Sequence, residues 1–200
     1  MGKIKSALEI ALERTESVKS NKGSIGLFEA KQKGKKLANE FLEGTVESLA
    51  NEIKKLSKDE RVNLVQGIFD ILITQINLPA AKEELQRIER AGQGLHQVIG
   101  IKSFGEVVKQ MGHVLNQYLE EAAKYDEAIK RQYAPKLRQK EEEIARRMGR
   151  QVKLDPFQDP EFVSFYNQNM NALKANYETV VNEFKGEAAR FFEEKQSHEK

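Results

Sequence analysis

The chain of 200 residues contains no cysteine, which excludes disulfide frameworks and thiol chemistry and leaves any zinc site to histidine and carboxylates. Histidine is itself scarce. His96, His113 and His198 are the full set, and none has a second ligand at a metal spacing such as HExxH. Long apolar runs are missing too. The most apolar stretch, Val62 to Leu78, is interrupted by Asn63, Gln66, Asp70, Thr74, Gln75 and Asn77, well short of the roughly 20 apolar residues of a spanning helix. At the N-terminus Ile4, Ala7, Leu8, Ile10, Ala11 and Leu12 are broken up by Lys5, Glu9, Glu13 and Arg14, unlike a signal peptide. The cytoplasm is the expected location. No segment alternates like a strand, and there is no internal repeat or low-complexity tract.

What is present is helical periodicity. Hydrophobic residues make up 39% of the chain and charged residues 32%, a balance that favours long helices with wide solvated faces over a compact sphere. The spacing predicts a short amphipathic helix over 4–19, with Ile4, Ala7, Leu8, Ala11, Leu12 and Thr15 on one face, then a turn at 21–24. A second helix is expected over about 27–56, its face formed by Leu42, Val46, Leu49, Ile53 and Leu56. Ser57 to Glu60 has the form of a capping box that opens a third helix to about residue 77. The apolar face of that helix leaves only a polar stripe of Asn63, Gly67, Asp70, Thr74 and Asn77. Pro79 ends it and starts a fourth helix carrying Leu85, Ile88, Leu95 and Ile99, with an expected break near Gly92.

Two long arms follow. Val108, Met111, Leu115, Tyr118, Ala122, Tyr125 and Ile129 recur in steps of three and four, and so do Val163, Tyr166, Met170, Leu173, Tyr177, Val180 and Phe184. Each set forms one stripe that needs a partner helix. Ser103 to Glu106 reads as a second capping box, Gly149 as a C-terminal glycine, and Asp159-Pro160-Glu161 as a helix start. Pro135 should kink the first arm. The expected fold is therefore all-α: a base of about four helices over 1–100, and a long antiparallel hairpin over 103–196 with its connector near 149–159.

Charge is concentrated in one place. Residues 130–153 hold nine cations, Lys130, Arg131, Lys136, Arg138, Lys140, Arg146, Arg147, Arg150 and Lys153, against Glu141, Glu142 and Glu143. In an antiparallel pairing the acidic tail with Glu187, Glu193 and Glu194 returns to the base, so the basic end projects away from it. Such a field suits phosphates, anionic lipid heads or an acidic protein. Glu142–Arg146 and Glu143–Arg147 fit as ordinary i,i+4 pairs of a solvated helix. A cluster at Lys31, Lys33, Lys35 and Lys36 is shorter and less specific.

The segment Ile4-Lys5-Ser6-Ala7-Leu8-Glu9-Ile10-Ala11-Leu12-Glu13-Arg14-Thr15 resembles the start of an uncharacterised bacterial family of all-helical proteins of about this length. The resemblance implies a bacterial cytoplasmic protein with no assigned activity, and it carries no functional residues over.

Enzymatic signals are weak. Asp70 sits among Phe69, Ile71 and Leu72, but no second acid completes a dyad, and His113 borders an apolar stripe. Gly92-Gln93-Gly94 lacks the strand and the Gly-Lys-Ser/Thr ending of a phosphate loop. No cofactor or metal is expected. The expected function is a non-enzymatic scaffold or interaction protein, a homo-oligomer or the partner of another helical protein. Nucleic-acid or anionic-surface binding through the basic end is the alternative, and an enzyme on a helical bundle ranks third.

Overall fold

The computed structural model describes residues 26–199, so the expected 4–19 helix and the Ile4 to Thr15 segment lie outside the described residues. The described elements are α1 over 26–42, α2 (Leu49–Lys54), α3 (Lys58–Gln75), α4 (Lys82–Ile99), α5 (Phe104–Met148), a 3-10 turn (Pro156–Gln158) and α6 (Pro160–Glu199). Among the described residues there is no strand, and the fold is all-α.

The expected 27–56 helix is two helices. Gly44 takes φ +88°, which ends α1, and the Ser48 hydroxyl then accepts the Asn51 N–H to open α2. Arg90 of α4 fixes this break. Its guanidinium donates to the carbonyls of Phe41 and, at 3.1 Å, Val46, and lies 4.8 Å from the Phe41 ring centroid. A cation placed on the free carbonyls at a helix C-terminus is well located electrostatically.

The expected break in α4 does not occur. The helix runs through Gly92 and Gly94 because both sites are packed too closely for a side chain. A Cβ on Gly92 would come within 2.9 Å of Val108, and one on Gly94 within 2.8 Å of Leu72 and 2.9 Å of Phe41. Packing here outweighs the roughly 1 kcal/mol that glycine costs in a helix interior.

Helix α3 is the middle of the core. Ile68 and Leu72 are fully buried, and Phe69 stacks on Phe192 of α6 at 4.1 Å with the rings 12° apart. Its expected polar stripe is only partly wet, since Gly67 is buried against α1. A Cβ on Gly67 would lie 2.1 Å from the Lys31 carbonyl oxygen, and one on Gly34 2.0 Å from that of Leu64. The two helices thus cross with backbone against backbone, each through a glycine. The capping contact at Ser57 is present, with the Glu60 carboxylate accepting from the Ser57 hydroxyl at 2.7 Å and its N–H at 3.4 Å. The second expected box is absent. Ser103 is helical (φ −63°, ψ −30°), makes no side-chain cap bond, and Glu106 pairs instead with Lys109.

Helices α5 and α6 lie side by side in opposite directions. Phe104 faces Phe191, Tyr118 faces Tyr177 and Tyr133 faces Phe162, with ring centroids 5.5, 5.2 and 5.1 Å apart. Fourteen residues forward and then fifteen along α5 match fourteen and fifteen backward along α6, so the register is constant. Helix α5 stays a single helix through Pro135 and ends at Gly149, which is left-handed at φ +67° with its N–H on the Ala145 carbonyl. The main core joins α1–α4 to the near parts of α5 and α6, its buried residues reaching Leu115 and Val181 with Leu119 packed against them. A second, separate cluster of Ile129, Tyr133 and Phe162, with Leu137, Phe165, Tyr166 and Met170 around it, closes the far end.

Candidate functional site

The far end is built by a folded-back connector. Helix α6 starts level with residues 133–136 of α5, so the last twelve or so residues of α5 outrun it by roughly 18 Å. The connector returns along that overhang. The Leu154 N–H donates to Glu141 at 2.8 Å, Asp155 caps the Phe157 N–H, and Phe157 packs edge-on against Phe162 and Tyr166. Asp159 then caps α6 through the Glu161 N–H, with Pro160 at the first position, as the sequence predicts.

This geometry divides the nine expected contact residues. Lys130, Lys136 and Lys140 turn inward. Lys140 donates to Asp159 at 2.6 Å and to Glu161 at 3.0 Å, and Lys136 also bonds Glu161. Lys130 pairs with Asp126 at 2.8 Å and lies 5.6 Å over the Phe157 ring. The Tyr133 hydroxyl donates to the same Asp159 oxygen at 2.9 Å, and the Tyr166 hydroxyl to Asp126 at 2.9 Å. The acids respond accordingly. The Lys140 ammonium holds the Asp159 carboxyl below its usual range, and Lys136 and Lys140 do the same for Glu161. The Asp159 contact raises the Lys140 ammonium, while burial and then the Asp159 bond raise the Tyr133 phenol.

The other six face solvent. Arg146 pairs weakly with Glu142, at 3.9 Å between two exposed side chains, and the expected Glu143–Arg147 pair does not form. Arg131, Arg138, Arg147, Arg150 and Lys153 are exposed and make no hydrogen bond or ion pair with a described residue. Two apolar side chains are also half exposed there, Met148 at 53% and Phe157 at 49%. The expectation that the basic end projects away from acidic neighbours is therefore corrected for Lys136 and Lys140. The acids of the connector and of the α6 start reach them, although the acidic C-terminal part of α6 does not. In the sequence Asp159 and Glu161 carry only the signature of a helix start. Their second role was legible in principle, since a helix returning in antiparallel register brings its first turn beside the last basic turns of its neighbour.

Elsewhere the candidates for chemistry fall away. Burial raises the Asp70 carboxyl, but hydrogen bonds from Lys31 (2.7 Å) and Gln66 (2.8 Å) and the Lys31 and Lys35 charges bring it below the usual range, the wrong direction for a general acid near neutrality. His113 is exposed. A cleft of about 780 Å³ between α4 and α5 has an apolar floor including Ile76, Val108, Met111 and Phe184, and His96 on its wall. The His96 Nδ1 is buried without a protein partner. Among the described residues no group of three or more His, Asp or Glu is placed to hold a metal ion, and no helix is long and apolar enough to cross a membrane.

No curated protein and no solved structure gives a significant match to the chain. A family of unknown function, DUF6657, matches residues 50–190, from α2 through most of α6 and outside the N-terminal segment that carried the resemblance. With more than half of its length matched, the chain belongs to this uncharacterised family.

Proposed function

We propose that the protein is a non-enzymatic helical interaction protein that self-associates or binds another helical protein in the cytoplasm, with the outer part of the α5–α6 pair as its contact arm. One observation carries this reading. Beyond Leu115 and Val181 the two helices leave the main core, yet the far end has its own sealed cluster and keeps Tyr125, Met148 and Phe157 about half exposed. A rod two helices thick that is stiffened at its tip suits presenting a surface at a distance. Sealing a pocket around a reaction is a poorer use of it. The non-enzymatic part is supported by the ionised, paired Asp70 and by the exposure of His113.

Sedimentation velocity across a concentration series, combined with small-angle scattering, tests the self-association. An elongated particle whose mass rises with concentration, and falls when Tyr125 is changed to Glu, is the expected result. A monomer at every concentration with no helical partner counts against the reading. A second reading, recognition of a phosphate-bearing surface, is favoured by the five unpaired cations of the same end.

A further inference from the structure

We infer that the end of the arm is a docking tip for an anionic lipid bilayer, with Arg146, Arg147, Arg150 and Lys153 meeting headgroup phosphates around the Met148 side chain. The inference rests on the reading that the outer α5–α6 pair is a contact arm, and it goes beyond the helical partner of that reading by assigning the end of the arm to a lipid surface.

Charge without a carboxylate partner lies at Arg147, Arg150 and Lys153, with Arg146 only weakly paired to Glu142 at 3.9 Å. The eight residues 146–153 contain four cations and no acid. They close the overhanging end of α5 and the turn beyond it, ahead of the Lys140–Asp159–Glu161 network. The nearest acids are Glu143, three residues before Arg146, and Glu142, which pairs weakly with Arg146 at 3.9 Å. Glu141 is held by the Leu154 N–H, and Asp155 lies in the returning connector. Arg147, Met148 and Arg150 thus stand farthest out with no acid among them. A flat surface approached end-on therefore meets cations first. Charges behind them are attenuated over a Debye length of about 8 Å at physiological salt. Three of the four are arginines, whose planar forks suit phosphate. Met148, at 53% exposure, stands among them as an apolar contact for the interfacial region.

The flank of the rod is different, and this decides against a nucleic acid. Along one exposed stripe of α5 the order is Glu120, Lys124, Glu127, Arg131, Arg138, Glu142. Three carboxylates and three cations share that stripe, so a duplex laid along the rod would meet carboxylates as often as cations. Only the end offers a single sign. Phe157 is a poor stacking platform, because Lys130 lies over its ring and Phe162 and Tyr166 abut it.

The experiment is co-sedimentation of the full chain with phosphatidylcholine vesicles, with or without about a third phosphatidylglycerol, at low and physiological salt. Binding to the anionic vesicles alone is expected. Each surface cation is worth roughly fivefold in partitioning, so R146E/R147E/R150E should weaken binding by about 100-fold or more. M148S should cost a few-fold, and R131E/R138E, on the flank, should leave binding within about twofold. All of these residues are exposed, and unchanged circular dichroism melts verify folding. No binding to anionic vesicles at low salt overturns the inference, and so does equal weakening by the flank and tip variants. Tighter binding to duplex DNA or RNA than to vesicles, reduced by both sets, overturns it in favour of a nucleic acid. Self-association that survives with no vesicle binding would sink the lipid tip alone. Its absence in sedimentation would sink the wider interaction reading.

Discussion

Gly67→Ala tests the α1–α3 crossing directly. The added Cβ would sit 2.1 Å from the Lys31 carbonyl oxygen, in a contact that is backbone on the far side and cannot rotate away. Relief requires α1 to move off α3 by about 1 Å. A gap of that size forfeits a quarter to a half of each van der Waals well along the seam that includes Ala38, Leu64 and Ile68. Overpacking of this kind costs up to about 3 kcal/mol, against about 1 kcal/mol gained from alanine's better helix propensity. The net is about 2 kcal/mol, or a melting temperature lower by about 4–8 °C for a chain of this size. Gly34→Ala should behave alike, since its Cβ would lie 2.0 Å from the Leu64 oxygen. Once one alanine has parted the helices the other fits, so G34A/G67A should cost little more than either change alone. Gly186→Ala is the control. Nothing lies within 4 Å of its Cβ, and it should stabilise α6 by about 0.5–1 kcal/mol. Thermal and urea melts followed by circular dichroism report all four. A Gly67→Ala protein that melts at or above the parent temperature, or strictly additive costs in the double variant, would refute the backbone crossing.

Arg90→Met keeps the packing on Phe41 but removes the bonds to the Phe41 and Val46 carbonyls, and should cost about 1.5–3 kcal/mol in urea denaturation. A change of a few tenths would mean that water serves those carbonyls equally well. Phe162 is fully buried in the small outer cluster, so Phe162→Ala should cost about 3–5 kcal/mol of local stability. Hydrogen exchange should show faster amides near 129–166 and unchanged protection in α3, whereas uniform acceleration would mean that the two clusters unfold as one. The outer network should also respond to acid. Asp126, Asp159 and Glu161 have folded values below the ordinary ones. Their stabilisation is therefore complete above the ordinary carboxylate values, from about pH 5 upward, and is lost as pH falls through the lower folded values. The aromatic NMR signals of Tyr133 and Phe162 should shift as pH is lowered from about 6 through the titration of Asp159 while those of Phe69 stay fixed, and Tyr133 signals unmoved across that titration would contradict the contact.

The parts of this fold legible in sequence were those set by local rules over long distances. The end of α5 at Met148, the left-handed Gly149 and the Asp159-Pro160 start follow from periodicity and capping chemistry, whereas α5 starts at Phe104 without the Ser103 box expected there. Failures came where tertiary contact decided the outcome. A run from Leu42 to Leu56 keeps helical spacing, but Arg90, about 45 residues away, takes the carbonyls that would continue it. Gly92 and Gly94 looked like a weak point and are instead close contacts, and Gly67 looked solvated and is a crossing point. At the tip the count of cations was correct, but which of them are free depended on register. Lys136 and Lys140 are satisfied only because the first turn of α6 falls beside them.

The equal steps between facing aromatic pairs make the arm a ruler. Removing seven residues from α5 and the seven facing them in α6 would return the same stripe to the same partner, while drawing the tip about 10.5 Å closer to the base. Removing seven from one helix alone would slide every pair past its mate. Length along this rod is thus adjustable in matched heptads, and the distance between the basic end and the base is written in a residue count.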